Sequence, residues 1–246
     1  MSAPRGAMDA RRVVLITGAA RGLGRAIALH LAAPGTLLLL HYRSSEREME
    51  ALLAEAKERG AEAVALRADL GKGEERERLM DEVAGHGGVL HVLVNNVGTY
   101  LDKGLAEITP AEWSATLEAT CTAAFHLTQR ALPLLRKGAP ARVINLGDSA
   151  AGRITARTHA TPYHIAKIGV SVLTRSYGKL LAGEGITVNQ ISPGFLENSI
   201  GEPGSALPAG RKGRFEDLLP ALDYLLSPEA EYVTGADLVV SGGWNL

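Results

Sequence analysis

Short β-branched and aliphatic runs alternate with segments of helical spacing along nearly the whole chain. Arg12–Ile16 is the first such run; it stops on a glycine-rich turn and gives way to apolar residues at helical spacing from Leu23 to Leu31. The pattern then repeats. Thr36–His41 predicts a strand, Glu46–Arg59 a charged-faced helix stopped by Gly60, Ala63–Leu66 a strand, Glu75–Val83 a helix and Leu90–Val94 a strand. Helices follow from Thr109 onward. Further strands are expected at Arg142–Leu146, Thr187–Ile191 and Asp237–Val240, with helices at Tyr163–Leu181 and Phe215–Leu226 between them. Strands joined by crossover helices pair in parallel, so the expected fold is α/β, a doubly wound parallel sheet with helices on both faces. Nothing in the pattern marks a linker or repeat, so residues 1–246 are read as a single domain. Residues 1–11 are expected to form a flexible tail, and 194–213, rich in Gly and Pro, a mobile loop within the domain.

Composition narrows the function classes. With 26 basic and 27 acidic side chains and a net charge of -1, the chain has no electrostatic bias toward nucleic acid. Its apolar share of 46% fits a buried core. The lone Cys121 permits no intrachain disulfide and no cysteine-based metal site, and no apolar run is long enough to span a bilayer. A cytoplasmic protein without metal, nucleic-acid or membrane partners is therefore expected. His159 and His164, five apart on a loop, do not have ligand spacing.

Three groups of residues carry chemistry. Thr17–Gly24 joins the first strand to the first helix, where backbone N–H groups and the helix dipole can meet a pyrophosphate; Gly18, Arg21, Gly22 and Gly24 are its key positions. In such sites an acid about 20 residues further on holds the ribose hydroxyls of NAD. Here His41-Tyr42-Arg43-Ser44-Ser45 stands instead, so Arg43 with Arg21 could neutralise a 2′-phosphate, with Ser44 bonding its oxygens; NADP(H) is favoured over NAD(H). Third, Tyr163 and Lys167 lie four apart on one helix, so the ammonium is expected to favour the phenolate and lower the tyrosine's pKa toward working pH. Such a tyrosine can pass a proton to or from a substrate oxygen.

Together with Asp69 after the third strand, Asn95-Asn96-Val97-Gly98 after the fourth, Pro193-Gly194, Val233-Thr234-Gly235 and Gly242-Gly243, these residues resemble the short-chain dehydrogenase/reductase family over nearly the whole chain. The resemblance implies a Rossmann sheet of about seven strands, hydride transfer with a nicotinamide cofactor, and a homotetramer. It implies that Tyr163 is the acid and that Lys167 holds the nicotinamide ribose while tuning it. Asp69 would contact the adenine, Asn95 would line the cofactor cleft, and Asn96 and Gly98 would support the central strand. Leu23, Leu70, Val97, Pro193 and Gly194 complete the expected cofactor-binding set.

Two positions depart from the family's pattern. Aligning Asn145-Leu146-Gly147 puts Asp148 in the catalytic serine's slot and Ser149 one step later, and the helical asparagine of the proton relay aligns with Thr120. An ionised carboxylate cannot donate a proton and raises a neighbouring phenol's pKa. Either Ser149 turns inward while Asp148 caps the turn, or Asp148 pairs with Tyr163 as in pteridine and dihydromonapterin reductases, a branch that Thr17–Ala20 and His41–Ser44 also resemble. Tyr100 and Phe195 are the candidate stacking platforms for a pterin. Arg153 and Arg157 read as a solvated face. The leading function is an NADPH-dependent reductase of a small carbonyl substrate, similar to 3-oxoacyl thioester reductases. The alternatives are a pteridine reductase acting on C=N and a non-catalytic NADP(H)-sensing protein.

Overall fold

A computed structural model describes residues 11–200 and 205–245. Seven parallel strands lie in the order β3-β2-β1-β4-β5-β6-β7: β1 Arg12–Ile16, β2 Thr36–Tyr42, β3 Glu62–Arg67, β4 Val92–Asn95, β5 Ala141–Leu146, β6 Ile186–Pro193 and β7 Asp237–Val240. The helices are α1 Gly22–Leu31, α2 Glu46–Glu58, α3 Gly73–Gly85, α4 Pro110–Leu117, α5 Ala123–Lys137, α6 Thr161–Leu181 and α7 Leu219–Leu226. The predicted elements are all present. Phe215–Leu226 divides into a 3-10 turn, Phe215–Leu218, and α7.

β2 is buried on both faces because it lies inside the sheet with helices above and below, which its unbroken leucine run anticipates. Alternate residues feed two cores. Val13, Leu15, Leu37, Leu39 and Leu93 pack with the buried faces of α3, α5 and α6. Val14, Ile16, Leu38, Leu40, Val92 and Val94 pack with α1, α2 and α7. The strand order reverses between β1 and β4, so the β1 and β4 loops part there and open a crevice at the sheet's carboxyl edge.

α4 begins with a capping box, Thr109 accepting the Glu112 N–H while the Glu112 side chain bonds the Thr109 N–H. It runs into α5 through a π-helical turn, Glu118–Thr122. The expectation for residues 1–10 lies outside the described residues. Among the described residues no helix is long and apolar enough to cross a membrane, and no three potential ligands gather as a metal site would require.

His41, at the carboxyl end of β2, ties three strand ends together. Its Nδ1 accepts the Gly18 N–H at 3.0 Å, its Nε2–H donates to the Ala68 carbonyl at 3.0 Å, and its own carbonyl accepts the Ala19 N–H at 2.8 Å. The ring is buried, and burial pushes its pKa down to about 4. Protons therefore bind the unfolded chain first as pH falls below 6.5, and the stabilisation due to this neutral ring, roughly 3 kcal/mol, is lost progressively toward pH 4. Denaturation midpoints followed between pH 7 and 4 should show this loss in the native protein and a shallower one in His41→Asn; equal slopes would contradict it.

Candidate active site

The crevice at the carboxyl edge of the sheet is a cleft of about 490 Å3. Its inner wall is Leu23, Asn96, Gly98, Leu146, Gly147 and Asp148, and Tyr163 and Lys167 project into it from α6.

Glycine shapes the cofactor side of this cleft. Gly18 and Gly22 have positive φ, and a Cβ on Gly24 would lie 2.3 Å from the Gly18 carbonyl oxygen, so the turn and α1 can meet only without side chains. A Cβ on Gly18 would also lie 3.0 Å from Val97. No side chain caps the start of α1, which leaves its first-turn N–H groups to a ligand.

Asn95 and Asn96 exchange the roles expected of them. Side chains alternate along β4, so Asn95 follows Leu93 into the core, where its Nδ2 bonds Asn145 at 2.9 Å and Thr128 at 3.1 Å. Asn96 takes the cleft side and donates to the Thr17 and Gly18 carbonyls, supporting the glycine turn. Leu70 turns its side chain into the core, and Asp69 closes the turn after β3 by accepting the Gly71 N–H at 2.9 Å.

At the far end of the glycine turn, Arg21 is exposed and ion-paired with Glu48. Arg43 and Ser44 are exposed at the end of β2. Arg67, which sequence reading missed, joins this rim: it pairs with Tyr42 across β2 and β3 and donates through Nε to the Arg43 carbonyl at 3.2 Å. Its signal was the register of β3, since a residue opposite the strand before Arg43 ends at the same edge.

Tyr163 and Lys167 occupy the first two turns of α6, and Gly98 makes room for them: a Cβ there would sit 3.0 Å from the Lys167 Nζ. Lys167 is 4% exposed, donates to the Leu146 carbonyl at 2.6 Å, and stands 5.7 Å from the centre of the Tyr163 ring. Burial brings its pKa down to about 8, with Asp148 opposing that shift. Asp148 rather than Ser149 meets the phenol. Its carboxylate faces the Tyr163 phenol and accepts, at 2.7 Å, the Ala150 N–H. Ser149 begins the 3-10 turn and turns aside, its Oγ accepting from Asn245 at 3.3 Å. Asp148 thus both caps the turn and faces the tyrosine, without the inward turn of Ser149 that the first alternative required.

This overturns one expectation. Burial first, and then the Asp148 charge, push the Tyr163 pKa well above the ordinary tyrosine range, so the phenol stays protonated despite its lysine neighbour. Thr120 is a second correction. It is 1% exposed, inside the π-helical turn, and its Oγ accepts the Thr99 N–H at 3.1 Å, holding the loop after β4 instead of reaching the cleft.

The outer wall is Tyr100, Arg157, His164, Phe195, Ile200 and Trp244. Tyr100 stands edge-on to Tyr163 at 5.1 Å between ring centres, and Phe195 edge-on to Trp244 at 6.2 Å. Trp244 was missed because it lies beyond the last strand, where the only signal was the Gly242-Gly243 turn. Pro193 and Gly194 line the cleft at the end of β6. The loop that follows is pinned at its base, where the Glu197 N–H donates to the Gly213 carbonyl and the Gly213 N–H donates to the Phe195 carbonyl.

The fold and nearly the whole length of the chain find counterparts among known proteins. The family described as enoyl-(acyl carrier protein) reductase matches residues 18–245. A 3-oxoacyl-[acyl-carrier-protein] reductase of Staphylococcus aureus is 33% identical over 245 residues, covering 96% of this chain and 99% of that protein. One from Synechocystis is 34% identical over 94% of this chain and 96% of its own length. Among solved structures, a Serratia marcescens short-chain dehydrogenase/reductase variant superposes with a TM-score of 0.88 at 27% identity, covering 96% and 99% of the two chains. The NADP complex of Pseudomonas aeruginosa RhlG gives 0.86 at 30%, covering 97% and 98%.

Asp148 raises the pKa of both Tyr163 and Lys167. Asp148→Asn should therefore lower both, the lysine falling below about 8. Site-specific NMR titration of the two side chains would register the shifts, and unchanged values would place the carboxylate away from both groups.

Proposed function

The chain belongs to the short-chain dehydrogenase/reductase family, and we propose that it uses NADPH to reduce the C=O of a small carbonyl compound, as a 3-oxoacyl thioester reductase does. The observation that carries this reading is the convergence of Tyr163, Lys167 and Asp148 in the cleft that the glycine turn and the uncapped start of α1 also border. The residues present fit a nicotinamide dinucleotide. Gly18, Gly22 and Gly24 leave the space a pyrophosphate needs, Leu23, Val97 and Gly98 border the path toward the nicotinamide end, and Arg21, Arg43 and Ser44 stand where a 2′-phosphate would arrive. When bound, NADPH supplies a hydride to the carbonyl carbon.

Tyr163 supplies the proton. The oxygen that gains charge as the carbonyl is reduced is a far stronger base than a phenolate, so a phenol with a raised pKa still protonates it. Lys167, fixed on the Leu146 carbonyl, offsets the phenolate charge left behind and is placed to bond the nicotinamide ribose. Asp148 holds the phenolic hydrogen until the substrate oxygen takes it, and solvent returns a proton afterwards. Carbonyl, NADPH and one proton give alcohol and NADP+, which balances.

The contact between Asp148 and Tyr163, with Tyr100 edge-on beside it, also favours a second reading in which the pair delivers a proton to a ring nitrogen and the acceptor is a C=N bond. The intact Tyr163 and Lys167 speak for turnover over mere cofactor sensing. For the assembly we propose a homotetramer, supported by the exposed Phe125 on α5 and Val172 and Leu180 on α6, in a single cytoplasmic domain spanning 1–246 whose 194–213 segment closes over the substrate.

NADPH oxidation assayed with acetoacetyl thioesters, diketones and dihydrobiopterin tests the reading: turnover of the carbonyl compounds is expected, turnover of dihydrobiopterin alone would favour the second, and tight NADPH binding without turnover of any would favour a sensor. Asp148→Ala should abolish activity while Ser149→Ala retains most of it; the reverse result would return the role to Ser149. Arg43→Ala should weaken NADPH binding by about tenfold, the size of one charge-assisted phosphate contact, and leave NADH binding nearly unchanged. Equal losses for both cofactors would remove Arg43 from the 2′-phosphate site.

A further inference from the structure

Sequence reading puts Arg153 and Arg157 together on a solvated face, and the structure separates them. Arg153 is exposed, whereas Arg157 is half-buried in the outer wall of the cleft. Its guanidinium is held in place: Nη2 donates to the Ala150 carbonyl at 3.1 Å, and the residue's own carbonyl accepts the Thr161 hydroxyl at 2.7 Å, at the first turn of the helix that carries Tyr163. Among the described residues only one of its three nitrogens has a partner, and no carboxylate pairs with it. The nearby acids among the described residues are engaged elsewhere. Asp102 meets His159 at 2.6 Å, Glu112 bonds Lys103, and Asp148 is spent on Ala150 and Tyr163.

A half-buried arginine in the wall of a cleft, without a counter-charge among the described residues, is costly unless something anionic fills the place. The anion must belong to the reacting molecule and lie near its carbonyl. His164, which also lines the cleft, stacks edge-on against Tyr163 with ring centres 5.5 Å apart and feels the charges of both Asp148 and Arg157, so it stands between the guanidinium and the reacting phenol. Tyr100, Phe195 and Trp244 offer apolar walls for a short carbon skeleton between the two. The Asp148 carboxylate repels a second carboxylate from the phenol and so fixes which end of such a molecule faces Tyr163.

We infer that Arg157 is a specificity-determining residue that receives a carboxylate of the substrate, so that short oxo acids are preferred over neutral ketones of the same skeleton. This rests on the carbonyl-reductase reading and names its substrate class. Bidentate guanidinium–carboxylate bonding in a partly desolvated wall is the chemistry Arg supplies and Lys does not match.

The test compares acetoacetate, methyl acetoacetate and acetoacetyl-coenzyme A with NADPH, in the native protein and in Arg157→Gln and Arg157→Lys. Acetoacetate should have the lowest KM. Arg157→Gln should raise it by about tenfold or more, as loss of a charge-assisted pair implies, with a smaller rise in Arg157→Lys and less than a twofold change for the methyl ester. Calorimetric binding of acetoacetate to the NADP-loaded protein should weaken in parallel. A rise confined to the coenzyme A thioester would assign Arg157 to a distant phosphate and overturn the proposal. So would equal effects on acid and ester, or none. If the native protein reduces none of the three, the carbonyl-reductase reading itself fails; turnover of the ester without preference for the acid defeats only the carboxylate subsite.

Discussion

The ammonium of Lys167 is the constraint around which this site is organised. A lysine 4% exposed at the carboxyl edge of a parallel sheet must recover the hydration it gives up, and it does so through one short bond to the Leu146 carbonyl and the nearby charge of Asp148. Both partners belong to the chain leaving β5. The bond therefore joins α6 to β5 and sets the ring of Tyr163, one helical turn away, against the cleft. Gly98 has no side chain because this cation fills the space that a Cβ would take.

The same economy explains the acid in the serine's place. A serine hydroxyl could donate or accept, whereas a carboxylate here only accepts, so between the two the phenol can only be the donor. The cost is a less acidic tyrosine. The gain is a compensating charge for the buried lysine and a fixed direction for the phenolic proton before substrate arrives. Seen as a charge pattern, cations stand at the Arg21, Arg43 and Arg67 rim, the Lys167 and Asp148 pair lies in the cleft, and Arg157 lines its wall. A molecule spanning it is oriented by charge as well as by shape.

Much of this was legible in the sequence because it depends on local periodicity. The parallel sheet with helices on both faces follows from βαβ alternation, and the four-residue spacing of Tyr163 and Lys167 put both on one helix face. What escaped depends on geometry between elements. Asn95 and Asn96 differ by one residue, and only the alternation of β4 against its two cores decides which faces the cleft; the pattern Val92, Leu93, Val94 held that information. Whether Asp148 or Ser149 turns inward is set by the tight turn after Gly147, whose missing side chain leaves room for Gln190 and Ser192 from β6. The direction of the tyrosine's pKa could not be read from spacing, since lysine and aspartate act oppositely and burial, the largest contribution, is a property of the packed structure. His41 looked like the polar end of an apolar run and is instead the neutral bridge between the glycine turn and β3.

The central claim is that a reduced dinucleotide lies along the carboxyl edge of the sheet with its nicotinamide beside a phenol held by Asp148. A crystal structure of the protein with NADPH tests it most directly. The account predicts pyrophosphate on the Gly18–Gly24 turn, the ribose hydroxyls on Lys167, and the Asp148 carboxylate, not the Ser149 hydroxyl, on Tyr163. Density for the cofactor elsewhere, or a Tyr163 ring turned out of the cleft with Ser149 in contact, would contradict it.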